Sequence, residues 1–247
     1  MTREIRIEPT AEAVALAAAS EFTQQAAEAV NARGLFAVAL SGGSTPRALY
    51  SLLASDKYRN QVPWDKTHFF WGDERDVPPD HPDSNYRMAD DAMLSKVPAT
   101  SSNVHRVRTE VGDAVAAAAQ YEEELRKVFH IPEGEFPRFD LILLGMGPDG
   151  HTASLVPGDP VLEVADKDVA ITGIYQGRQR MTLTFPVINR ARRVLWVVTG
   201  SEKVGILRRL IEGDTSIPAG RVRPDNALLL ADRAAAEQLA AEQKQGG

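Results

Sequence analysis

The 247-residue chain has no cysteine, which excludes disulfides, a thiolate nucleophile and cysteine-ligated zinc. Histidine is sparse: His68, His81, His105, His130 and His151 are the five. None lies in an H-E-x-x-H or comparable ligand spacing, so neither a metal site nor another cofactor is expected. No apolar run approaches the ~18 residues of a membrane span, and Met1-Thr-Arg-Glu4 lacks the apolar core of a secretion signal. No membrane partner is expected, and the cytoplasm is the default compartment. Basic excess is missing too. Lys and Arg number 28 against 34 Asp and Glu, for a formal net charge of -6, whereas binding to phosphate backbones shows as surplus positive charge. Nucleic acid is therefore not expected as a partner.

What the chain does contain is a repeated alternation of apolar strands and helical stretches. Ile5-Arg-Ile7 reads as a short strand, and the Ala-rich run from Thr10 to Arg33 as a helix that Gly34 ends. Phe36–Leu40 reads as a buried strand, followed by Ser41-Gly-Gly-Ser-Thr-Pro46 and a helix through Leu53. Thr67–Trp71 is a third strand, opening onto Gly72 to Ser84, a long polar segment read as irregular, ahead of a helix from about Asn85. A helix from about Gly112 to Phe129 precedes the apolar strand Leu141–Leu144. Later strands are expected over Val169–Tyr175, Met181–Thr184, Val194–Thr199 and Asn226–Leu230, with helices from Ser201 and at the Ala-rich C-terminus. Such β-then-α units imply an α/β, Rossmann-like fold, a mainly parallel sheet flanked by helices on both faces. At 43% hydrophobic and with no evident linker, residues 1–247 read as a single domain.

Ligands of these sheets bind beyond the carboxyl ends of the strands, and four unusual polar clusters fall there. They are Ser41–Pro46, Asp73-Glu-Arg75, Asp149-Gly-His151 and Ser201-Glu-Lys203. The first has the chemistry of a phosphate cradle. Gly42 and Gly43 let backbone N–H groups converge, Ser44 and Thr45 add hydroxyls, and a following helix directs its positive end at an anion. The alternative is a plain capped helix start, with Ser44 or Thr45 as N-cap. The missing G-K-[ST] ending sets the loop apart from a nucleotide triphosphate site.

The third cluster, Leu144-Gly-Met-Gly-Pro-Asp-Gly-His151, superficially matches the dinucleotide fingerprint G-x-G-x-x-G. That fingerprint needs a long helix after the third glycine, whereas Pro157-Gly158 ends any helix within about two turns. A histidine at the lip of such a turn, titrating near ~6.5 when unperturbed, suits general acid–base catalysis. Asp149 suits either of two roles, orienting His151 or bonding its own turn. Arg75 is the candidate cation near a substrate, since its rigid fork holds phosphate or carboxylate oxygens bidentately; a salt bridge to Asp73 or Glu74 is its alternative.

Taken in order, Ser41–Pro46, Trp71-Gly-Asp-Glu-Arg75, Asp83-Ser-Asn-Tyr86, Leu144–Leu155, Met181–Asn189 and Gly200-Ser-Glu-Lys203 resemble the family of 6-phosphogluconolactonases and glucosamine-6-phosphate isomerases. The resemblance spans Leu40 to about Leu230 and implies the NagB-type variant of the Rossmann-like fold. It also implies hydrolysis of 6-phospho-D-glucono-1,5-lactone to 6-phosphogluconate, in the oxidative pentose phosphate pathway. The partner is then a small sugar-phosphate lactone, and the protein is expected to be a monomer or small homo-oligomer. His151 would act as base and then acid, with Asp149 and Arg75 beside it; Gly42, Gly43, Ser44, Thr45, Asp73, Arg180 and Lys203 would bind substrate. The family's deaminases carry a glutamate where this chain has Val156, and valine accepts no proton. Lactonases usually place Phe there, so Val156 departs from their pattern while staying apolar. Tyr175-Gln-Gly-Arg-Gln-Arg180 is a second departure, standing where many lactonases have a proline-rich loop.

Overall fold

The computed structural model describes residues 2–132, 134–224 and 226–238. Fifteen helices and strands are labelled here in chain order. They are β1 (Thr2–Glu8), α1 (Ala11–Arg33), β2 (Phe36–Leu40), α2 (Ser44–Leu53), β3 (Thr67–Trp71), β4 (Asp73–Arg75), α3 (Asn85–Ala92) and α4 (Ala114–Phe129), then β5 (Leu141–Leu144), β6 (Val169–Ile171), β7 (Arg180–Leu183), α5 (Phe185–Asn189), β8 (Val194–Val198), α6 (Val204–Ile211) and β9 (Asn226–Asp232). The expected C-terminal Ala-rich helix lies for the most part beyond the described residues. No described helix is long and apolar enough to cross a membrane.

Six strands form one sheet in the order β1-β9-β8-β5-β2-β3, and every neighbouring pair is parallel. The central strands are buried on both sides because their apolar residues run without interruption. Alternate side chains then feed two cores. Phe36, Val38 and Leu40 of β2 pack with α1, α2 and α3 on one face. Ala37 and Ala39 face the opposite core, which holds Tyr121 and Leu125 of α4 and Leu207 of α6. α1 follows from its sequence: Thr10 caps Ala13 N–H at one end, and Gly34, at φ 81°, closes the other.

Strand order reverses between β2 and β5. The chain leaves β2 toward β3 on one side and returns to place β5, β8 and β9 on the other. The loops after β2 and β5 therefore part to opposite faces and leave a crevice between them.

The structure corrects two expectations and sharpens two further readings. The polar segment after β3 is not wholly irregular: Asp73–Arg75 is β4, pairing antiparallel with β7, which pairs with β6 in a separate three-stranded sheet. The strand expected over Val169–Tyr175 ends at Ile171. No helix follows Gly150, because positive φ at Gly150 (85°) and Ala153 (47°) and a short Thr152–Leu155 bridge keep the chain turning. Finally, neither Ser44 nor Thr45 caps α2; Gly43, at φ 107°, is its N-cap and no side chain bonds there.

Candidate active site

The loops after β2, β3, β5 and β8 converge on a cleft of about 420 Å³ at the carboxyl edge of the large sheet, with β7 of the small sheet as a further wall. Gly42, Gly43, Ser44, Thr45, Asp73, Arg75, His151, Arg180 and Lys203 all line it. Asp149 stands behind His151.

The cradle loop is fixed from inside the core. The hydroxyl of fully buried Tyr50 accepts from Ser41 N–H (2.9 Å) and donates to Ser41 C=O (2.8 Å). Burial pushes that phenol far above its ordinary pKa, so it stays neutral and keeps both bonds. Beyond Ser41, the positive φ of Gly43 turns the backbone into α2. With no side chain capping that helix, its first-turn N–H groups are left for a ligand. Thr45 Oγ1 meets Thr199 Oγ1 at 2.7 Å, tying the loop to the end of β8.

Two arginines also line the cleft. Arg75 and Arg180 are directly opposed in the β4–β7 register, a placement that is unfavourable for like charges. Neither forms an ion pair with a carboxylate among the described residues, so the expected alternative for Arg75, a bridge to Asp73 or Glu74, is not what the structure holds. Arg75 Nη1 donates to the Asp83 carbonyl (2.8 Å), Arg180 Nη2 donates to Gln176 Oε1 (3.0 Å), and the Nε of each is buried without a partner. Burial lowers the Arg180 guanidinium below its ordinary pKa, although nearby Asp73 opposes this. Lys203 adds a third cation, with a loose neighbour in Glu202 Oε1 at 3.9 Å.

Glu74 is engaged elsewhere. Its buried carboxylate accepts from Asn85 N–H and Tyr86 N–H (both 2.8 Å) and from Ser84 Oγ (3.1 Å), closing the N-terminus of α3. Asp73, also buried, accepts from Ser154 Oγ at 2.6 Å, and Asn85 Nδ2 donates to its carbonyl at 2.9 Å.

On the remaining wall, His151 Nδ1 lies 2.6 Å from Asp149 Oδ1, and His151 N–H donates to the same oxygen (3.2 Å). Gly147 permits this fold-back, since a Cβ there would overlap the imidazole. Partial burial acts to raise the Asp149 carboxyl, but hydrogen bonds from His151 and Tyr175 outweigh it and hold the group below its ordinary pKa. Asp149 is thus the anion that accepts the Nδ1 proton. His151 Nε2 has no protein partner among the described residues and is free for proton exchange in the cleft. Such a site can hold an anionic group at one end and move a proton at the other.

Three residues of this constellation were not singled out by the sequence reading. Asn85 and Ser154 lie within the ordered motifs, but their contacts to Asp73 run between distant segments. Tyr175, whose hydroxyl donates to Asp149 Oδ2 (3.0 Å), sits in the segment that departs from the lactonase pattern.

Known proteins resemble this chain in sequence and in fold. The family model described as glucosamine-6-phosphate isomerases/6-phosphogluconolactonase matches residues 9–231. A 6-phosphogluconolactonase of Synechocystis sp. is 45% identical over 221 residues, covering 88% of this chain and 90% of that one. One of Nostoc sp. is 44% identical over 215 residues, covering 85% and 88%. Among solved structures, a 6-phosphogluconolactonase from Trypanosoma cruzi superposes with a TM-score of 0.84 at 30% identity, covering 96% of this chain and 97% of that one. A monomeric glucosamine-6-phosphate deaminase reaches a TM-score of 0.81 at 19% identity, covering 95% and 99%, a likeness of fold alone.

Proposed function

Because the chain belongs to the glucosamine-6-phosphate isomerase/6-phosphogluconolactonase family, we propose that it hydrolyses 6-phospho-D-glucono-1,5-lactone to 6-phosphogluconate, the lactone-opening step of the oxidative pentose phosphate pathway. The observation that carries the reading is His151, bonded at Nδ1 to Asp149 and open at Nε2, in one cleft with the cations Arg75 and Arg180, neither of them in an ion pair among the described residues.

In this reading the cradle Gly42–Thr45, with Arg180 and Lys203, holds the phosphoryl group through backbone N–H groups, hydroxyls and charge. His151 Nε2 takes a proton from water as its oxygen attacks the lactone carbonyl. Asp149 stabilises the imidazolium and keeps the ring in place. Arg75 lies where it can offset negative charge developing on the carbonyl oxygen. When the tetrahedral intermediate collapses, the bond from the carbonyl carbon to the ring oxygen breaks and the imidazolium returns its proton to that oxygen. Water is consumed, and the product has a new carboxyl and a free hydroxyl. Asp73, held by Ser154 and Asn85, binds the sugar's hydroxyl groups as an acceptor.

Deamination of glucosamine 6-phosphate is the competing reading within the family. Val156, buried and apolar, stands where the deaminases place a glutamate and cannot take part in proton transfer. The test is to follow lactone hydrolysis and ammonia release from glucosamine 6-phosphate in parallel. Hydrolysis above the spontaneous rate without ammonia is expected. Ammonia release without lactone turnover would reverse the assignment.

A further inference from the structure

The segment Thr172–Arg180 joins β6 to β7 and bends at Tyr175-Gln-Gly-Arg178 as a two-residue hairpin. Tyr175 N–H bonds Arg178 C=O (2.8 Å) and Arg178 N–H bonds Tyr175 C=O (3.2 Å), while Gln176 and Gly177 both have positive φ, 52° and 77°. Turns of this kind favour Asn, Asp or Gly at the first central position. Gln is a poorer choice there, and a left-handed non-glycine residue points to a function that outweighs its strain.

The side chain of Gln176 supplies one. Its Oε1 accepts from Arg180 Nη2 at 3.0 Å, and its Nε2 lies 3.4 Å from the Tyr175 hydroxyl. The Arg180 guanidinium carbon also lies 4.9 Å from the Tyr175 ring centroid, within the range of a cation–π contact. Tyr175 in turn donates to Asp149 Oδ2 (3.0 Å) and sits 3.2 Å from His151 Nδ1. Asp149 therefore has one oxygen filled by His151 and the other by Tyr175, which fixes the plane of the carboxylate and, through it, the imidazole.

We propose that Tyr175 is a positioning residue for the Asp149–His151 pair, and that Gln176 couples it to Arg180. The cation that holds the phosphoryl group thereby also aims the base. The inference rests on the lactonase reading above and adds to it a route by which phosphate recognition reaches the reacting end of the substrate. Arg180, Gln176, Tyr175, Asp149 and His151 form one continuous chain of contacts along the small-sheet side of the cleft. A shorter turn residue at position 176 would keep the hairpin and break the chain.

Two variants test this. Tyr175→Phe keeps the ring over Arg180 and removes only the hydroxyl; it is expected to lower kcat on 6-phosphogluconolactone by about tenfold, with KM within about twofold of wild type. Gln176→Gly relieves the positive-φ strain, so its thermal midpoint is expected to equal or exceed that of wild type. Its kcat on the phosphorylated lactone should nevertheless fall severalfold, and the rate advantage over unphosphorylated gluconolactone should shrink. A merely structural role for Gln176 predicts the reverse, with stability lost and the ratio of the two substrates kept. If wild type hydrolyses the lactone and both variants stay within about twofold of it in kcat and in substrate ratio, the coupling is overturned. Absence of lactone turnover by wild type would instead remove the functional assignment on which the coupling rests.

Discussion

On one side of the cleft, Tyr50 and Tyr121 hold the ends of β2 and β3 from inside the two cores, each hydroxyl bonding both the N–H and the C=O of one strand-end residue, Ser41 and Trp71. On the other side, His151 is held by Asp149 and Tyr175 close to solvent, in a turn with positive φ at Gly150 and Ala153. The first arrangement belongs to the packing, and its bonds are protected by burial on every side. The second has its turn seated on Ile206 and Ile217 of one core, but the imidazole itself is held by a few polar contacts between loops. The wall proposed to bind is fixed by buried hydroxyls, whereas the wall proposed to move a proton is fixed by polar contacts near solvent.

The largest expected effect breaks the proton-moving wall directly. His151→Gln keeps bulk and some hydrogen bonding but cannot cycle a proton, and kcat should fall by about two to four orders of magnitude. Rates are read after subtracting spontaneous hydrolysis, at a pH low enough to slow it. Retention of more than about a tenth of wild-type kcat would remove His151 as the base. On the anion side, Arg180→Ala should raise KM by about tenfold to a hundredfold, because the phosphoryl group is held alike in ground and transition states. Arg180 also joins the Tyr175 chain, so a smaller fall in kcat should accompany the KM effect. Initial-rate kinetics over a range of lactone concentrations separate the two.

Tyr50→Phe sharpens the comparison through stability. It leaves a buried N–H and a buried C=O of Ser41 unpaired, at roughly 1–3 kcal/mol each when unsatisfied. A loss of about 2–4 kcal/mol in urea unfolding is expected, and an unchanged midpoint would show that the strand end is held by other means. The smallest effect concerns the foot of the small sheet, where burial pushes the Asp168 carboxyl up to about 6, against the pull of Arg126. With a folded pKa above the unfolded one, the folded state binds more protons between about pH 4 and 6. The carboxylate therefore costs stability once ionised, and stability falls as pH rises through that window. The rise to about 6 corresponds to at most about 3 kcal/mol, and about 1–2 kcal/mol is expected once buried charges relax with water penetration. Asp168→Asn should flatten this loss between pH 4 and 7; parallel unfolding curves for the two proteins would refute it.

Much of this was legible in the chain. β2, β5 and β8 announce themselves because a strand covered on both faces must be apolar throughout, and the crossover rule then places the polar loops on one edge. His151 and the cradle residues were read from those loops. Of the small sheet, β6 and β7 were read as strands, the first too long, whereas β4, only three residues, was not, and that the three form a sheet of their own was not legible. Their pairing is set by partners far along the chain. Glu74 was read as a possible mate for Arg75, but α3 folds back to present its N-terminal N–H groups to that carboxylate, a tertiary choice that local spacing does not encode. Tyr175 escaped for a related reason: the turn containing it was visible as a departure, while what it touches depends on how two hairpin arms pack over Asp149.

The opposed pair Arg75 and Arg180 carries a consequence for turnover. In the proposed reaction Arg180 meets the phosphoryl group whether the sugar is a closed lactone or an opened acid, since hydrolysis leaves the phosphate untouched, while Arg75 faces the end that reacts. Affinity gained at that end is therefore shared by substrate and product. In that reading the difference arises at the reacting end, where ring opening turns an uncharged ester into a carboxylate. If the proposed roles hold, the charge that the reaction itself creates, set against Arg75 on one side and Asp149 on the other, decides how long the product lingers.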